Sequence, residues 1–355
     1  METYAVIMAG GVGSRFWPRS RERRPKQLLN ILSEKTLIQN TRDRLDGLIP
    51  DKNVLVITNK LQAEQIQKQL PGIPAENIIA EPFGRNTAAC IGLAAKIVEK
   101  RSPGAVMVVV PADHIIRDVP GFISILGKGI DFAREEKALV TIGIEPTRPE
   151  TGYGYIQIEQ NPFTDHIYKV STFAEKPNFA TAVRFVQSGD FFWNSGMFIW
   201  RSDVILEELA LYLPETAKHL NELDSSVDNE NFYPVLEEVY GKLKSISIDY
   251  GVMEKSTRVY LLKGSFSWSD VGSWEEIYNL EKKDDNGNVL EGKVFAEMVN
   301  DSYIYSPDIF TAVVGVDNVV VINTGDALLI CRKDLSQEVK KVVEHLKLNN
   351  NSDIL

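Results

Sequence analysis

The run Tyr4-Ala5-Val6-Ile7-Met8-Ala9, followed directly by Gly10-Gly11-Val12-Gly13-Ser14-Arg15, decides the fold class of this chain. An apolar run with no polar alternation describes a short strand buried on both faces, as in a parallel sheet covered by helices. The glycines then let the backbone turn sharply and bring its N–H groups against an anion. Two familiar phosphate loops do not fit. The P-loop ending Gly-Lys-Ser/Thr is absent, and a Gly-x-Gly-x-x-Gly dinucleotide fingerprint started at Gly11 meets Phe16 at its last position. The chain beyond the glycines is basic, with Arg15, Arg19, Arg21, Arg23, Arg24 and Lys26. Such side chains neutralise a triphosphate where a helix N-terminus alone would not. On physical grounds the segment is either an anion-binding loop or a glycine-rich turn beside a solvated basic face.

Working outward, strand and helix patterns alternate. Strands are predicted at 54–58, 105–110 and 138–144, and helices at 37–48, 62–70, 86–100 and 122–136. This alternation implies crossover units and a mostly parallel, Rossmann-like α/β sheet with helices on both sides. Farther on, 155–159 and 167–173 are expected to pair about a turn at Asn161-Pro162. Helices are expected at 179–187, 204–213 and 232–240, with short strands at 198–201 and 259–263. Charge, Asn and Gly accumulate over 282–292, which places a domain boundary between 1–283 and 284–355. Beyond it, short β-rich segments at 294–299, 303–306, 311–316, 319–323 and 327–331 suit a small sandwich, barrel or solenoid. A terminal helix over 336–346 carries Val339, Val342, Val343 and Leu346 on one face, and 348–355 is expected to fray.

Composition narrows the function. A length of 355 residues favours two domains. A formal net charge of −10 repels nucleic acid and anionic lipid, so neither is expected as a partner. A phosphate pocket in such a protein must concentrate its own Lys and Arg. Cys90 and Cys331 have no disulfide or zinc spacing and read as packing thiols, and the four histidines form no metal cluster. No basic n-region precedes residues 4–9, and no apolar run reaches the ~18 residues of a membrane span. A cytoplasmic protein is expected.

The segment from Ala9 to Pro18, Ala9-Gly10-Gly11-Val12-Gly13-Ser14-Arg15-Phe16-Trp17-Pro18, with Arg24-Pro25-Lys26-Gln27, closely resembles the signature of sugar-nucleotide pyrophosphorylases. The mannose-1-phosphate guanylyltransferase branch is the best match. The resemblance implies that Ala9, Gly10, Gly11, Gly13, Ser14, Arg15 and Lys26 hold nucleotide phosphates. Glu81-Pro82-Phe83-Gly84-Arg85-Asn86-Thr87-Ala88 resembles the branch's base-recognition segment. Guanine offers N1–H and N2–H donors and an O6 acceptor, which Glu81 and Asn86, with Thr87 beside them, suit chemically. Asn86 is equally placed to cap the helix that it begins.

Asp113, in Val109-Val110-Pro111-Ala112-Asp113-His114, comes after a buried strand, where ligands of open parallel sheets collect. The resemblance gives Asp113 and Asp270, the latter in Trp268-Ser269-Asp270-Val271-Gly272-Ser273-Trp274, the role of Mg²⁺ ligands. Taken alone, Asp270 reads as a helix cap. His114 reads as structural. Gly152-Tyr153-Gly154-Tyr155 and Phe173-Ala174-Glu175-Lys176-Pro177 resemble the family's sugar loop and its Glu-Lys-Pro segment, although Ala174 departs from the usual Val. By this match Gly152, Tyr153, Gly154 and Glu175 hold the sugar and Lys176 its phosphate. Trp193-Asn194-Ser195-Gly196-Met197-Phe198 supplies Asn194, whose amide can both donate to and accept from a hydroxyl pair.

The residues implied in catalysis are Arg15, Lys26, Asp113, Lys176 and Asp270. The substrates implied are GTP and mannose 1-phosphate, and the products GDP-mannose and pyrophosphate. A pyrophosphorylase for another hexose or heptose 1-phosphate, or a sugar-nucleotide sensor without turnover, stands as the alternative. Matches at 311–319 and 324–328 extend the resemblance, which implies a left-handed β-helix-like C-terminal domain and a homodimer. Some relatives carry a further phosphomannose isomerase domain. None is expected here, so a single activity is expected.

Overall fold

The computed structural model describes residues 1–11, 13–164 and 166–355, so Val12 of the glycine loop lies outside the described residues. In chain order the strands are β1 (Thr3–Met8), β2 (Val54–Asn59), β3 (Ile78–Glu81), β4 (Val106–Pro111), β5 (Ile115–Ile116), β6 (Leu139–Ile144), β7 (Tyr155–Thr164), β8 (Ile167–Ala174), β9 (Phe191–Arg201), β10 (Val259–Gly264), β11 (Trp268–Ser269), β12 (Val289–Glu297), β13 (Tyr303–Val314), β14 (Val319–Asn323) and β15 (Leu328–Arg332). The helices are α1 (Leu37–Asp43), α2 (Ala63–Gln69), α3 (Asn86–Arg101), α4 (Val119–Glu135), α5 (Phe179–Ser188), α6 (Ser202–Tyr212), α7 (Pro214–Asn221), α8 (Phe232–Lys242), α9 (Trp274–Leu280) and α10 (Lys340–Leu348).

Two compact units result, and the chain passes between them repeatedly. One holds Met1–Gly10, Arg42–Ala112 and Ile116–Trp268; the other holds Gly11–Thr41, Asp113–Ile115 and Ser269–Leu355.

The first unit is an α/β layer structure on a nine-stranded sheet, ordered β3-β2-β1-β4-β9-β6-β10-β8-β7, with β7 also paired to β9. β1 runs parallel to β2 and β4, β2 to β3, and β6 to β10. β9 is antiparallel to β4 and β6, and β8 is antiparallel to β10 and β7. β8 and β9 therefore oppose the other seven strands, which gives a mixed, mostly parallel sheet. The strands β2, β4 and β6 are buried almost throughout because helices cover both faces. Val6, Leu55, Ile57, Met107 and Val109 form one core cluster with Ile91, Leu93, Ala94 and Val98 of α3.

The sequence places a hairpin turn at Asn161-Pro162, but β7 continues to Thr164 and Pro162 pairs with Tyr168. Register shifts flank Pro162, and a bulge near a sheet edge tolerates a residue that cannot donate to the ladder. The strand expected at 198–201 begins at Phe191, so Trp193 to Gly196 lies on β9 and not in a loop before it. The predicted helix at 37–48 stops at Asp43. Helix α7 and a π-helical turn at Asp249–Met253 are additions to the expected elements.

In the second unit, β12, β13 and β14 pair in parallel and β15 closes the sheet antiparallel to β14. Consecutive strands that pair in parallel without an intervening helix are wound as a solenoid, one of the three forms expected. The segments expected at 303–306 and 311–316 are one strand, β13. Its core gathers Phe16, Trp17, Leu29, Leu37, Val271, Trp274, Tyr303, Ile322 and Val343. Trp274 packs 5.1 Å from the Phe16 ring and 5.7 Å from the Tyr303 ring. The glycine-loop segment is thus anchored on the β-rich core of its own unit.

The terminal helix begins with a tight 3₁₀ stretch at Lys333–Val339 and continues as α10. The fraying expected of residues 348–355 does not occur at their end. Ile354 and Leu355 pack on the core, and the Ile354 carbonyl accepts from Trp17 Nε1 at 2.8 Å and from Arg21 Nη1. Among the described residues, no helix is long and apolar enough to cross a membrane.

Candidate active site

Of the residues matched to the phosphate and metal roles, Gly11, Gly13, Ser14, Arg15, Lys26, Asp113 and Asp270 lie in the second unit, and Ala9, Gly10 and Lys176 in the first. A cavity of about 320 Å³ is lined by Gly13, Ser14, Arg15, Phe16, Lys26, Asp113, His114, Asp270, Val271, Gly272 and Lys340. The loop is held by backbone and side-chain bonds: Phe16 N donates to the Gly13 carbonyl at 3.0 Å, and Ser20 Oγ donates to the same oxygen at 2.6 Å. Gln27 Nε2 ties down the Gly11 carbonyl at 3.0 Å. Gly13 has φ +60°, and a Cβ there would stand 2.6 Å from Lys26 Cβ and 2.9 Å from Lys26 N. Only glycine permits both that conformation and that approach.

Lys26 is the centre of the cluster. Its side chain is nearly buried and its ammonium donates to Asp113 Oδ2 at 2.9 Å and to the Asp270 carbonyl. The Phe16 ring lies 5.4 Å away. Burial pushes the Asp113 carboxyl up, but the Lys26 charge, with help from His114 and the hydrogen bond, outweighs it and holds the carboxyl below its ordinary value. Asp113 is therefore ionised at neutral pH.

Asp270 does not cap α9. The cap is Ser273, whose Oγ accepts from Glu276 N at 3.4 Å, while Glu276 Oε2 accepts from Gly272 N at 2.7 Å. Next to Asp270, Val271 is fully buried with φ +49°. A β-branched residue in that region is strained, and such strain gathers at functional sites. Asp113 and Asp270 are hard oxygen donors on one cavity. A small divalent cation takes one or two carboxylates together with phosphate oxygens and water, so this donor set fits it. Among the described residues, no group of three His, Cys, Asp or Glu side chains suited to a metal occurs.

Of the six basic residues after the loop, only Arg15 and Lys26 line the cavity. Arg19 bonds the Asn30 carbonyl at 2.9 Å and covers the Tyr305 ring, and Arg21 pairs with Asp326 at 2.9 Å. These two serve the fold. Lys340, at the start of α10, lines the cavity from a part of the sequence that carries no motif.

The residues matched to base and sugar roles lie in the first unit. Ala9 N donates to the Ile57 carbonyl at 2.8 Å, which fixes the chain as it leaves β1 for Gly10. Glu81, at the end of β3, is buried and accepts from Tyr240 Oη at 2.8 Å. Burial raises its carboxyl to about 7 against the opposing effect of that hydrogen bond. Asn86 is exposed at φ +65°, and its Oδ1 accepts from Thr87 N at 2.8 Å. Thr87 Oγ1 accepts from Ile248 N at 2.8 Å.

Gly152 N donates to Glu150 Oε1 at 3.0 Å, which shapes the loop that presents Tyr153. The Tyr153 ring packs edge-on against Trp193 at 5.2 Å and Trp268 at 5.3 Å. A Cβ on Gly154 would stand 2.5 Å from Glu175 Oε2 and 3.4 Å from Asn194 Cβ. Asn194 N donates to the Gly154 carbonyl at 2.8 Å, so the sugar loop, Glu175 and Asn194 form one cradle. Glu175 pairs with Lys176, which is exposed at φ +43°.

Sequence reasoning missed Tyr240, Lys340 and Asp249. The last accepts from Asn194 Nδ2 at 2.9 Å. None of the three stands in a motif, and only the fold brings them to their partners.

The description Nucleotidyl transferase matches residues 4–287, and the description MannoseP isomerase/GMP-like beta-helix domain matches 299–346. The mannose-1-phosphate guanylyltransferase of Salmonella muenchen is 42% identical over 353 residues, covering 98% of this chain and 74% of that protein. That of Escherichia coli K12 is 39% identical over 353 residues, covering 97% and 73%. A crystal structure from Thermus thermophilus, described as a mannose-1-phosphate geranyltransferase, superposes with a TM-score of 0.89 at 36% identity, covering 98% of this chain and all of that one. A Helicobacter pylori structure described as mannose-6-phosphate isomerase gives 0.63 at 26% identity, covering 76% of this chain and all of that one. With a match across most of its length and this identity to relatives of one name, the chain belongs to the nucleotidyl transferase family, in its mannose-1-phosphate guanylyltransferase branch.

Proposed function

We propose that this protein transfers GMP from GTP to α-D-mannose 1-phosphate, giving GDP-mannose and pyrophosphate. The observation that carries the reading is the Lys26 ammonium, 2.9 Å from Asp113 in one cavity with the glycine loop and Asp270. That arrangement suits a polyanion with a bound cation. The names of the relatives supply the substrate pair.

A phosphate oxygen of the sugar phosphate attacks the α-phosphorus of GTP, a P–O bond forms in line, and the bond to pyrophosphate breaks. The nucleophile is already an anion, so no general base is needed. The barrier is anion repulsion and charge growing on the leaving group, and positioning with electrostatic stabilisation lowers it. Ala9, Gly10, Gly11, Gly13 and Ser14 present backbone to the phosphates, while Arg15 and Lys26 offset their charge. Glu81, Asn86 and Thr87 read the base. Gly152, Tyr153, Gly154, Glu175 and Asn194 hold the sugar, and Lys176 its phosphate. Asp113 and Asp270 would hold Mg²⁺, which supplies Lewis-acid stabilisation of phosphoryl charge. Residues 1–283 are assigned to catalysis and 284–355 to a β-helix-like domain that pairs two copies of the chain, in the cytoplasm.

Pyrophosphate release with Mg²⁺ tests this, crossing GTP, ATP, UTP and dTTP against mannose and glucose 1-phosphates. Release with GTP and mannose 1-phosphate alone supports the full reading. Another preferred pair overturns the specificity, and no release with any pair overturns the activity.

A further inference from the structure

Asn194 is held by two opposite contacts. Its Oδ1 accepts from Gly196 N at 3.0 Å, and its Nδ2 donates to Asp249 Oδ1 at 2.9 Å. A primary amide has two donor hydrogens and two acceptor lone pairs. One of each is used here, so one N–H and one lone pair remain, the combination that matches neighbouring hydroxyls. A flipped amide would set N–H against the Gly196 N–H and oxygen against the Asp249 carboxylate, two repulsive contacts in place of two attractive ones.

Asp249 is placed by more than side-chain packing. It opens the π-helical turn Asp249–Met253, in which Glu254 N reaches back to the Asp249 carbonyl at 2.9 Å. Such turns are costly in a regular helix and gather at functional positions. The preceding residues are fastened to the start of α3: Ala88 N donates to the Ile246 carbonyl at 3.2 Å, and Ile248 N to Thr87 Oγ1 at 2.8 Å. The segment 246–249 therefore joins the candidate base-reading residue Thr87 to the candidate sugar-reading residue Asn194. Keeping an acid there is unfavourable, because burial and the nearby Glu175 charge both raise the Asp249 carboxyl, against the Asn194 hydrogen bond.

We infer that Asp249 is a positioning residue that fixes the amide of Asn194 for recognition of the sugar's hydroxyls. It contributes to discrimination among sugar 1-phosphates through Asn194. The inference rests on the sugar cradle proposed above.

The test begins with the sugar 1-phosphate and nucleotide that the wild-type protein turns over best, so a wrong substrate reading shows itself first and separately. Asp249→Ala is expected to raise KM for that sugar phosphate about ten-fold or more, with KM for the nucleotide within about two-fold. That is the scale of one lost hydrogen bond to a charged acceptor. Asp249→Asn keeps an acceptor and is expected to recover most of the affinity. Asp249→Leu, of similar size but with no acceptor, carries the same expectation as Asp249→Ala and keeps the test decisive if that variant fails to fold. In an Asn194→Ala background, Asp249→Ala is expected to add little, because the two act as one. An unchanged sugar KM in Asp249→Ala, or in Asp249→Leu where the alanine variant does not fold, overturns the inference. So does an effect of equal size with and without Asn194, or an equal rise in both KM values.

Discussion

The Lys26 ammonium bonds the Asp113 carboxylate at 2.9 Å and the backbone carbonyl of Asp270, so one cation serves both segments that carry the candidate metal ligands. The pair holds Asp113 ionised, and its removal leaves a half-buried carboxylate with less compensation. Lys26→Ala or Asp113→Asn is therefore expected to lower turnover at least ~10²-fold, roughly 2.7 kcal/mol in barrier. Pyrophosphate release under saturating substrates measures it. Near-normal turnover in either variant would remove that residue from the mechanism.

Gly13 sets the position of Lys26. An alanine at φ +60° costs about 1–2 kcal/mol in backbone strain, and its Cβ would meet Lys26 at 2.6 Å. Gly13→Ala is expected to reduce the unfolding free energy by at least that range and to reduce turnover at least ten-fold. Gly11→Ala is the control for the fold, since a Cβ there meets nothing within 4 Å. Urea unfolding of both variants reads the difference, and equal midpoints would contradict the assignment of strain to Gly13.

Glu81 predicts a pH dependence with a definite sign. Its carboxyl titrates at about 7 in the folded protein against 4.5 ordinarily. Below 4.5 it is neutral in both states, so its full contribution to stability is present there. Between those values the unfolded chain loses the proton while the folded one keeps it, so stability falls as pH rises and the contribution is gone above about 7. The span corresponds to on the order of 3 kcal/mol. If Glu81 accepts from guanine N–H groups, GTP binding strengthens over the same rise, because only the ionised carboxylate is a pure acceptor. Unfolding and GTP titrations at pH 5.5 and 8 check both trends. Glu81→Gln is expected to flatten both, and a variant with the wild-type pH dependence would assign it elsewhere.

The parts legible in the sequence are those whose physics is local. Residues 4–9 declared a covered strand because six neighbours in sequence are enough to show missing alternation. The glycine loop and the Asn194 segment stood out because their chemistry is contiguous. Pro162 misled because proline punctuates most chains, yet a bulged strand near an edge needs no N–H from it. The two segments expected at 303–306 and 311–316 join across Pro307 into the single strand β13. The docking of Ile354 on Trp17, the Tyr240 hydroxyl on Glu81 and the Asp249 carboxylate on Asn194 join residues far apart in sequence. No periodicity encodes such pairs, and only the sheet order and the winding of the β-rich unit create them.

Gly154 offers the cleanest separation of sugar from nucleotide recognition. Its missing side chain leaves room for Glu175 Oε2, which would stand 2.5 Å from a Cβ, and its carbonyl accepts from Asn194 N at 2.8 Å. No positive φ is required of it, so alanine adds no backbone strain and acts only by pushing the Glu175 carboxylate out of the cradle. Because that carboxylate is paired with exposed Lys176, it can swing outward with its partner at little cost to the fold. Gly154→Ala is therefore expected to leave the thermal midpoint within a few degrees while raising KM for the sugar 1-phosphate at least ten-fold. KM for the nucleotide should stay within about two-fold. Steady-state kinetics with each substrate varied in turn decides it. A rise in the nucleotide KM alone would detach Gly154 and Glu175 from the sugar and return the cradle to the base.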